Sequence, residues 1–273
     1  MTFAWERALR ALRRRRSVNV GYHGVDDVPA VSDPENLCVP PARFRTQLGL
    51  LIAAGFEFVT VAELAERAGG ESPPPGLATL SFDDGLEDNH RVLLPILREA
   101  GVPATVYVTT SFIGRANPWR GGGARFMTED ELRDLHAAGI ELGAHSVTHR
   151  DLSTAGEEEC ESEVGGSVAA LESVIGAPVR TFAYPFCLYN DAAVAAVRRA
   201  GLTAAVTCEG RGDWSPHTLK RALITGRDGV PSFVAKLWDV YQPAFDSPPG
   251  RAARAATRMV RARARSAREE SRG

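Results

Sequence analysis

From Ser17 onward, short apolar segments alternate with amphipathic segments of helical periodicity. ATLSF, PATVYVTT and IELGA have the apolar and β-branched character of buried strands, and helical stretches such as NHRVLLPILREAG separate them. The connections are too long for hairpins, so the strands are predicted to be parallel and wrapped by helices. Seven or eight such units follow one another without a break in composition, which favours one barrel in a single domain. A doubly wound open sheet is the competing topology.

Two of the predicted helices begin with a capping box. Thr60 precedes Glu63, and Thr128 precedes Glu131, each pair at the start of an amphipathic stretch. In this arrangement the hydroxyl accepts a hydrogen bond from the third helical residue, whose carboxylate accepts one from the backbone of the cap.

The charge of the chain is balanced overall but uneven along its length. The net charge of −2 over 273 residues gives no support for nucleic-acid binding, and the sequence contains neither a GxGxxG fingerprint nor a P-loop. Basic residues concentrate at the termini. We therefore predict a basic N-terminal helix over 1–16, a barrel domain over 17–245, and a basic tail over 246–273 whose composition is compatible with disorder.

The cysteines and the terminal segments predict a cytoplasmic protein. The four cysteines lie at wide, irregular intervals without a CxxC, which favours reduced thiols; they are Cys38, Cys160, Cys187 and Cys208. No apolar run approaches the roughly 20 residues of a membrane helix, and the N-terminus does not resemble a signal peptide. The stripe of Trp5, Leu9 and Leu12 on an arginine-rich helix permits peripheral contact with an anionic membrane, although packing against the barrel is the commoner outcome.

Polar side chains stand where the predicted strands end. In a parallel α/β barrel these carboxyl-terminal ends converge on one face, where catalytic residues come together. In chain order the residues at the strand ends are His23, Asp83, Asp84, His145, Pro185 and Phe186. This convergence is the strongest functional signal that the residues themselves carry.

The same residues have the chemistry of a metal site. His145 and His149 are four residues apart, and a helical turn after the strand would place both imidazoles on one side. Two imidazoles and one carboxylate make the three-ligand set of a catalytic zinc site. A bound ion would also offset the repulsion between Asp83 and Asp84, so that one aspartate ligates it and the other accepts a proton. Taken singly, a His-x3-His pair more often lies on the protein surface than in a metal site, and an Asp-Asp-Gly is usually a turn.

At these positions the sequence resembles the polysaccharide deacetylase family, the carbohydrate esterases (family 4-like) that share the NodB homology domain. SFDDG (81–85) matches the TFDDG motif, HSVTH (145–149) matches the His-Ser/Thr-x-x-His motif, and the similarity extends from about Asn19 to about Thr225. The resemblance implies a distorted (β/α)7 TIM-like barrel with one divalent ion, most commonly Zn²⁺, with Co²⁺, Ni²⁺ and Mn²⁺ as alternatives. It assigns Asp84, His145 and His149 as ligands and Asp83 as general base.

A third motif departs from the family pattern. FAYPFC (182–187) stands where the family has FRPPYG or FAYPYG, so the resemblance implies that the Phe186 N–H binds the oxyanion beside Tyr184 and Pro185. The arginine that orients the base in many members is Ala183 here, and the motif's glycine is Cys187. We interpret this as the character of an FAYP-type branch. Asp213 and Trp214 are similar to a family motif that ends in Asp-Trp and are further candidates for substrate binding.

The general acid is expected near the N-terminus. The late Leu-x-His motif of many members is absent from RALITGRDG. VGYHGVDD (20–27) instead resembles the early Tyr-His segment of a branch with circularly permuted motifs, typified by poly-N-acetylglucosamine deacetylases. The resemblance therefore implies that His23 is the general acid, with a core histidine as the alternative. Trp119 is a candidate for stacking on a sugar ring, or else part of a disordered loop.

The predicted activity is metal-dependent hydrolysis of an N-acetyl or similar acyl group on an amino sugar, a polysaccharide or a glycolipid precursor. Its partners would be acetylated amino sugars, oligosaccharides or lipid-linked sugars, with no nucleic acid and no obligate protein partner. One alternative is a metal-dependent amidase or deformylase acting on a small or lipid-linked amide, which a missing export signal favours. Another is a non-catalytic carbohydrate-binding relative, against which the intact set of Asp84, His145 and His149 argues.

Overall fold

The computed structural model describes residues 2–119, 123–208 and 215–238. The strands are β1 Val18–Tyr22, β2 Gly24–Val25, β3 Cys38–Val39, β4 Glu57–Phe58, β5 Leu77–Phe82, β6 Thr105–Val108, β7 Glu141–Ala144, β8 Thr181–Ala183, β9 Ala204–Thr207, β10 Leu219–Lys220 and β11 Ala222–Leu223. The α-helices are α1 Thr2–Arg13, α2 Pro41–Ala54, α3 Val61–Ala68, α4 Leu94–Ala100, α5 Glu129–Ala137, α6 Glu157–Ile175, α7 Asp191–Arg199 and α8 Val230–Leu237.

The main sheet is a parallel barrel. Its strands follow the order β10-β9-β8-β7-β6-β5-β1-β11, and β4 pairs with β5 outside this path. Only Arg221 separates β10 from β11, and this last segment pairs with β9 through Leu219 and with β1 through Ala222. Counting that segment as one strand, the path has seven strand positions. The predicted (β/α)7 barrel is therefore confirmed, and the open-sheet alternative is wrong.

The strands are apolar on both faces because helices cover the outside of the barrel and side chains fill its inside. All six residues of β5 are buried, from Leu77 to Phe82, as expected for a parallel strand covered on both faces. Gly143 on β7 makes room in the interior, since a Cβ there would lie 2.5 Å from Cε1 of Tyr107. Both predicted capping boxes are also present, at the starts of α3 and α5.

The N-terminal helix packs against the barrel. Leu9 and Leu12 are buried in the main hydrophobic core, Trp5 packs partly against it, and α1 contacts α2 and α8. Its apolar stripe is therefore covered by the protein itself. Among the residues described, no helix has the length and apolar character that crossing a bilayer requires. The tail over 246–273 lies outside the described residues.

Two of the cysteines form a disulfide, so the prediction of reduced thiols is wrong for this pair. Cys187 and Cys208 are 21 positions apart in sequence and their Cα atoms are 5.2 Å apart. They meet because β8 and β9 are parallel neighbours, which brings the residues that follow each strand to the same edge. Cys38 and Cys160 are buried and are not disulfide-bonded.

Candidate active site

The three predicted ligands converge at the carboxyl-terminal end of the barrel. Asp84 follows β5, and His145 and His149 follow β7. Oδ1 of Asp84 lies 3.5 Å from Nε2 of His145 and 3.4 Å from Nε2 of His149. This group could hold a metal ion, because each residue offers one ligand atom and these atoms lie within 4.8 Å of one another.

The donor atoms fit a zinc-like ion. Oδ1 of Asp84 is buried without a hydrogen-bond partner, a costly arrangement that a cation would relieve. Nδ1 of His145 lies 2.7 Å from the carbonyl oxygen of Ala183; this bond assigns the ring hydrogen to Nδ1 and leaves Nε2 as an acceptor. Ligands about 2.0–2.2 Å from a tetrahedral ion are roughly 3.3–3.5 Å apart, which agrees with the two distances to Asp84.

The two imidazoles are brought together by a tight loop. The expected helical turn after β7 is not present, and residues 145–149 form a loop with a bend at 147–148, in which Ser146 and His149 have positive φ values of 63° and 61°. Glu163 on α6 holds this loop by accepting hydrogen bonds from the backbone N–H groups of Val147 and Thr148, both at 2.9 Å. A loop anchored on a neighbouring helix, and not a helical turn, therefore brings the two histidines together. Glu163 is a supporting residue that the sequence motifs did not reveal.

Left-handed backbone conformations concentrate at this site. Six non-glycine residues of the described chain have positive φ, and five of them lie in the three loops of the site: Asp84, Ser146, His149, Phe186 and Cys187. Such conformations cost free energy for residues with a side chain, so they persist where the surrounding structure holds them. Their clustering around candidate ligands is typical of a functional site.

Asp83 is held by a buried arginine. Nη1 and Nη2 of Arg221 donate to Oδ1 and Oδ2 of Asp83, both at 2.7 Å, and Nη1 also donates to Oγ of Ser81 at 3.0 Å. Both partners are buried. Burial raises the pKa of Asp83, but the charge and hydrogen bonds of Arg221, with smaller contributions from His145 and His23, bring that pKa below its usual value. The carboxylate is thereby kept ionised.

Arg221 occupies a slot inside the barrel. It lies between β10 and β11, and a Cβ on Gly21 would come within 3.3 Å of its side chain. The guanidinium stacks over the ring of Tyr107, with Cζ of Arg221 5.6 Å from the ring centroid. Asp83 is thus held by an arginine on the strand segment that closes the barrel. The sequence signal was an arginine in an otherwise apolar strand pattern, which needs a partner when buried.

His23 stands beside the other polar residues. It separates β1 from β2, and the carbonyl oxygen of the preceding residue, Tyr22, accepts a hydrogen bond from the backbone N–H of Asp83 at 2.9 Å. Nδ2 of Asn89 donates to the carbonyl oxygen of His23 at 3.1 Å. Asn89 is fully buried and opens a π-helical turn that precedes α4. This irregular turn follows the two aspartates and fixes the backbone of His23 next to them.

The residues after β8 divide between the site and the core. Phe186 is 42% exposed, and its ring centroid lies 4.6 Å from that of His149. Pro185 is buried at the start of the same 3-10 turn. The side chain of Tyr184 is 1% exposed and its hydroxyl donates to the carbonyl oxygen of His217 at 3.0 Å, so the phenol belongs to the core. Asp213 and Trp214 lie outside the described residues.

Aromatic rings flank His149 on two sides. The ring centroid of Trp119 lies 4.8 Å from that of His149. The ring of Phe186 contacts the same imidazole from the loop after β8. Phe112 and Phe126 support the indole at 5.0 and 5.4 Å. Trp119 is thus packed at the edge of the site and half-buried. These rings restrict the motion of the imidazole and give the site an apolar rim.

Comparisons with known proteins match the part of the chain that carries the three candidate metal ligands. Residues 70–205 match the family model for polysaccharide deacetylases. A poly-β-1,6-N-acetyl-D-glucosamine N-deacetylase of Staphylococcus aureus is 24% identical over 217 residues, covering 75% of this chain and 73% of that protein. A Bacillus subtilis protein named for the polysaccharide deacetylases is 24% identical over 181 residues, 66% of this chain; the match spans 62% of that relative's length.

The fold has counterparts among solved structures. A Streptococcus pyogenes deacetylase, solved in complex with acetate, superposes with a TM-score of 0.69 at 24% identity. The superposition covers 81% of this chain and 98% of that one. This similarity supports the barrel fold described above.

Proposed function

The chain belongs to the polysaccharide deacetylase family, and from this premise we propose that it is a metal-dependent hydrolase that removes an N-acetyl or similar acyl group from an amino sugar. The observation that carries the proposal is the juxtaposition of two carboxylates in different environments. Asp84 faces His145 and His149 with an unpaired oxygen, whereas Asp83 is held by Arg221. These environments support the proposal that Asp84 binds a metal ion and that Asp83 accepts a proton.

Asp84, His145 and His149 would hold the metal. Two imidazole nitrogens and one carboxylate oxygen suit Zn²⁺, while Co²⁺, Ni²⁺ and Mn²⁺ also accept such ligands. When bound, a divalent ion supplies Lewis acidity, which lowers the pKa of water and polarises an acyl carbonyl. The hydrogen bond from Nδ1 of His145 to Ala183 orients this ligand, as outer partners of metal-binding histidines commonly do.

Asp83 would act as the general base. Its two oxygens receive the parallel hydrogen bonds of Arg221, which keep the carboxylate ionised and fix its plane. Each carboxylate oxygen retains a further lone pair for the proton of a water molecule. A base must be ionised and correctly oriented before it accepts a proton. Arg221 would meet both requirements for Asp83, so we propose it as a positioning residue.

His23 and Phe186 would act on the leaving amine and on the developing oxyanion, respectively. His23, between β1 and β2, would protonate the leaving amine as general acid. The N–H of Phe186 would donate to the acyl oxygen as negative charge develops on it. A left-handed φ of 57° gives this N–H an orientation that an extended residue would not have.

The substrate class we propose is a polymer of N-acetylglucosamine. The Staphylococcus aureus relative is named for poly-β-1,6-N-acetyl-D-glucosamine, so a β-1,6-linked oligomer is the first substrate to test. The Cys187–Cys208 disulfide also supports an oxidising compartment, where such polymers are found. This weighs against the small-amide alternative, whose support was a cytoplasmic location. Membrane contact through the basic termini stays a prediction.

Acetate release tests the proposal. Zinc-loaded protein is expected to release acetate from β-1,6-linked N-acetylglucosamine oligomers, and Asp83→Asn is expected to keep its zinc and lose this activity. Release from small or lipid-linked amides alone would favour the amidase alternative. If the fully metal-loaded protein releases no acyl group from either class, the hydrolase proposal is wrong and a carbohydrate-binding role takes its place.

A further inference from the structure

A covalent bond ties the loop after β8 to the neighbouring strand. The disulfide joins Cys187, next to Phe186 in that loop, to Cys208, which directly follows β9. Oγ1 of Thr207 also donates to the carbonyl oxygen of Cys187 at 2.9 Å. The loop that carries Phe186 is therefore fastened to the barrel next to its exposed tip.

The backbone of this loop needs such a restraint. Phe186 and Cys187 have φ values of 57° and 59°, so two successive residues with side chains adopt the left-handed conformation. Glycine adopts this conformation without a steric penalty, whereas other residues are rarely found there unless their surroundings hold them. At Cys187 the side chain that makes the conformation unfavourable is the one that forms the restraining bond.

The restraint acts on the site described above. The ring of Phe186 packs against that of His149, and the N–H proposed to bind the oxyanion belongs to the same residue. If the backbone of Cys187 returned to an ordinary φ, the adjoining peptide would rotate and both of these relationships would change. The geometry of the loop and the geometry of the site are thus connected through one residue.

We propose that the Cys187–Cys208 disulfide is a positioning element for Phe186, which makes the hydrolase activity dependent on oxidation of this pair. The inference rests on the proposed function. Reduction by a phosphine breaks the S–S bond: the phosphine supplies two electrons and becomes its oxide with oxygen from water, and two thiols form. Cys187 is then a non-glycine residue in a left-handed conformation with no covalent support, and the loop relaxes.

The disulfide is open to a reductant. Cys187 and Cys208 are both partly exposed, whereas the other two cysteines, Cys38 and Cys160, are buried. A water-soluble phosphine therefore acts selectively on this pair. It is preferable to a dithiol here because dithiols bind zinc, and metal content is measured after reduction so that loss of metal is not mistaken for loss of positioning.

Two double variants separate positioning from general stability. Cys187→Ala/Cys208→Ala keeps a side chain at the left-handed position without the bond, and Cys187→Gly/Cys208→Ala places there the residue that tolerates it. We expect reduction of the wild type and the alanine pair to lower kcat roughly 10- to 100-fold, the cost of a small misplacement of a reacting group. The glycine pair is expected to rescue most of that loss and to be unaffected by the phosphine.

Hydrogen exchange of the backbone amides over 184–188 provides a readout that does not need activity. Faster exchange in the reduced wild type and in the alanine pair, but not in the glycine pair, supports the proposal even if no substrate is found. Unchanged kcat and unchanged exchange on reduction overturn it, as does a glycine pair no better than the alanine pair. Absence of acetate release from oxidised, metal-loaded wild type instead counts against the proposed function alone.

Discussion

Arg221 and Asp83 form a bidentate ion pair inside the barrel, with both N–O distances at 2.7 Å. The two residues are 138 positions apart in sequence and both are almost completely buried. The arginine comes from the strand segment that closes the barrel, and the aspartate from the strand end two positions along the sheet. The ion pair therefore connects the strand segment that closes the barrel to the proposed general base.

Replacement of Arg221 is expected to reduce both stability and activity. Arg221→Met leaves Asp83 buried without its partner, which should cost about 3–5 kcal/mol in free energy of unfolding. Arg221→Lys keeps the charge but loses the paired hydrogen bonds, and kcat should fall at least about tenfold because the base is no longer fixed.

Chemical denaturation and acetate release measure these effects. The matched control is the double variant Asp83→Asn/Arg221→Met, which removes both charges. It should be more stable than Arg221→Met although inactive. An Arg221→Lys protein with wild-type kcat would show that the arginine does not position the base.

Removal of either histidine ligand is expected to abolish metal binding. The purified wild type should contain about one equivalent of a divalent ion, and His145→Ala or His149→Ala should contain almost none, since two remaining ligands bind weakly. Mass spectrometry of the native protein measures the content. His136→Ala, an exposed histidine on α5, is the control and should retain the ion. Equal metal content in all of these proteins would place the ion elsewhere.

Loss of Glu163 should weaken the metal site from a distance. Glu163→Ala leaves the N–H groups of Val147 and Thr148 without their acceptor, so the loop carrying His149 is less well held. Supporting partners of this kind are commonly worth about 10- to 100-fold in metal affinity. Competition with a chelator measures the affinity. Glu161→Ala, on the same helix but exposed and paired with Arg199, should leave it unchanged, and equal affinities in both variants would contradict the assignment.

His23 is expected to affect turnover but not metal binding. His23→Ala should lower kcat roughly 10²–10⁴-fold, the usual contribution of a general acid, and should retain its full metal content. Asn89→Ala, which removes the hydrogen bond to the His23 carbonyl, should show a smaller loss of the same kind. His90→Ala is the control, because its imidazole is near Asp134 on the surface. A His23→Ala protein that is fully active would assign the acid to another residue.

Glu131 should give α5 a pH-dependent stability. Hydrogen bonds from Arg125 and Thr128 lower the pKa of Glu131 to about 2 from 4.5. A lowered folded-state pKa stabilises the protein at pH values above 4.5, and this contribution is lost as the pH falls from 4.5 towards 2. Glu131→Gln loses the ion pair with Arg125 and should therefore reduce the free energy of unfolding by up to about 1 kcal/mol at neutral pH, and the difference should shrink in acid.

Denaturant titrations at several pH values check this difference. Glu129→Gln, in the first turn of the same helix and more than half exposed, should change stability far less. A difference between Glu131→Gln and wild type that stays constant from pH 6 to the acid limit of folding would contradict the lowered pKa.

Much of the architecture was predictable because it depends on patterns among residues that are close in sequence. Apolar runs of strand length, amphipathic helices and the capping boxes at Thr60 and Thr128 each involve neighbouring residues, and their alternation predicted the parallel barrel. The strand-end rule then predicted that His23, Asp84 and His145 would meet, and the structure places them at one edge. These features follow from hydrophobic periodicity, backbone hydrogen bonding and chain direction, all of which act over short distances in sequence.

Only the tertiary structure decided which distant groups pair. Arg221 reaches Asp83 because the closing segment pairs with β1 in one register, and Cys187 meets Cys208 because β8 and β9 are neighbours. The left-handed loop at His149 depends on Glu163 from another element, and Tyr184 turns into the core by its bond to His217. Such contacts depend on strand register and helix docking, whose energies come from the whole packed interior, so no local pattern specifies them.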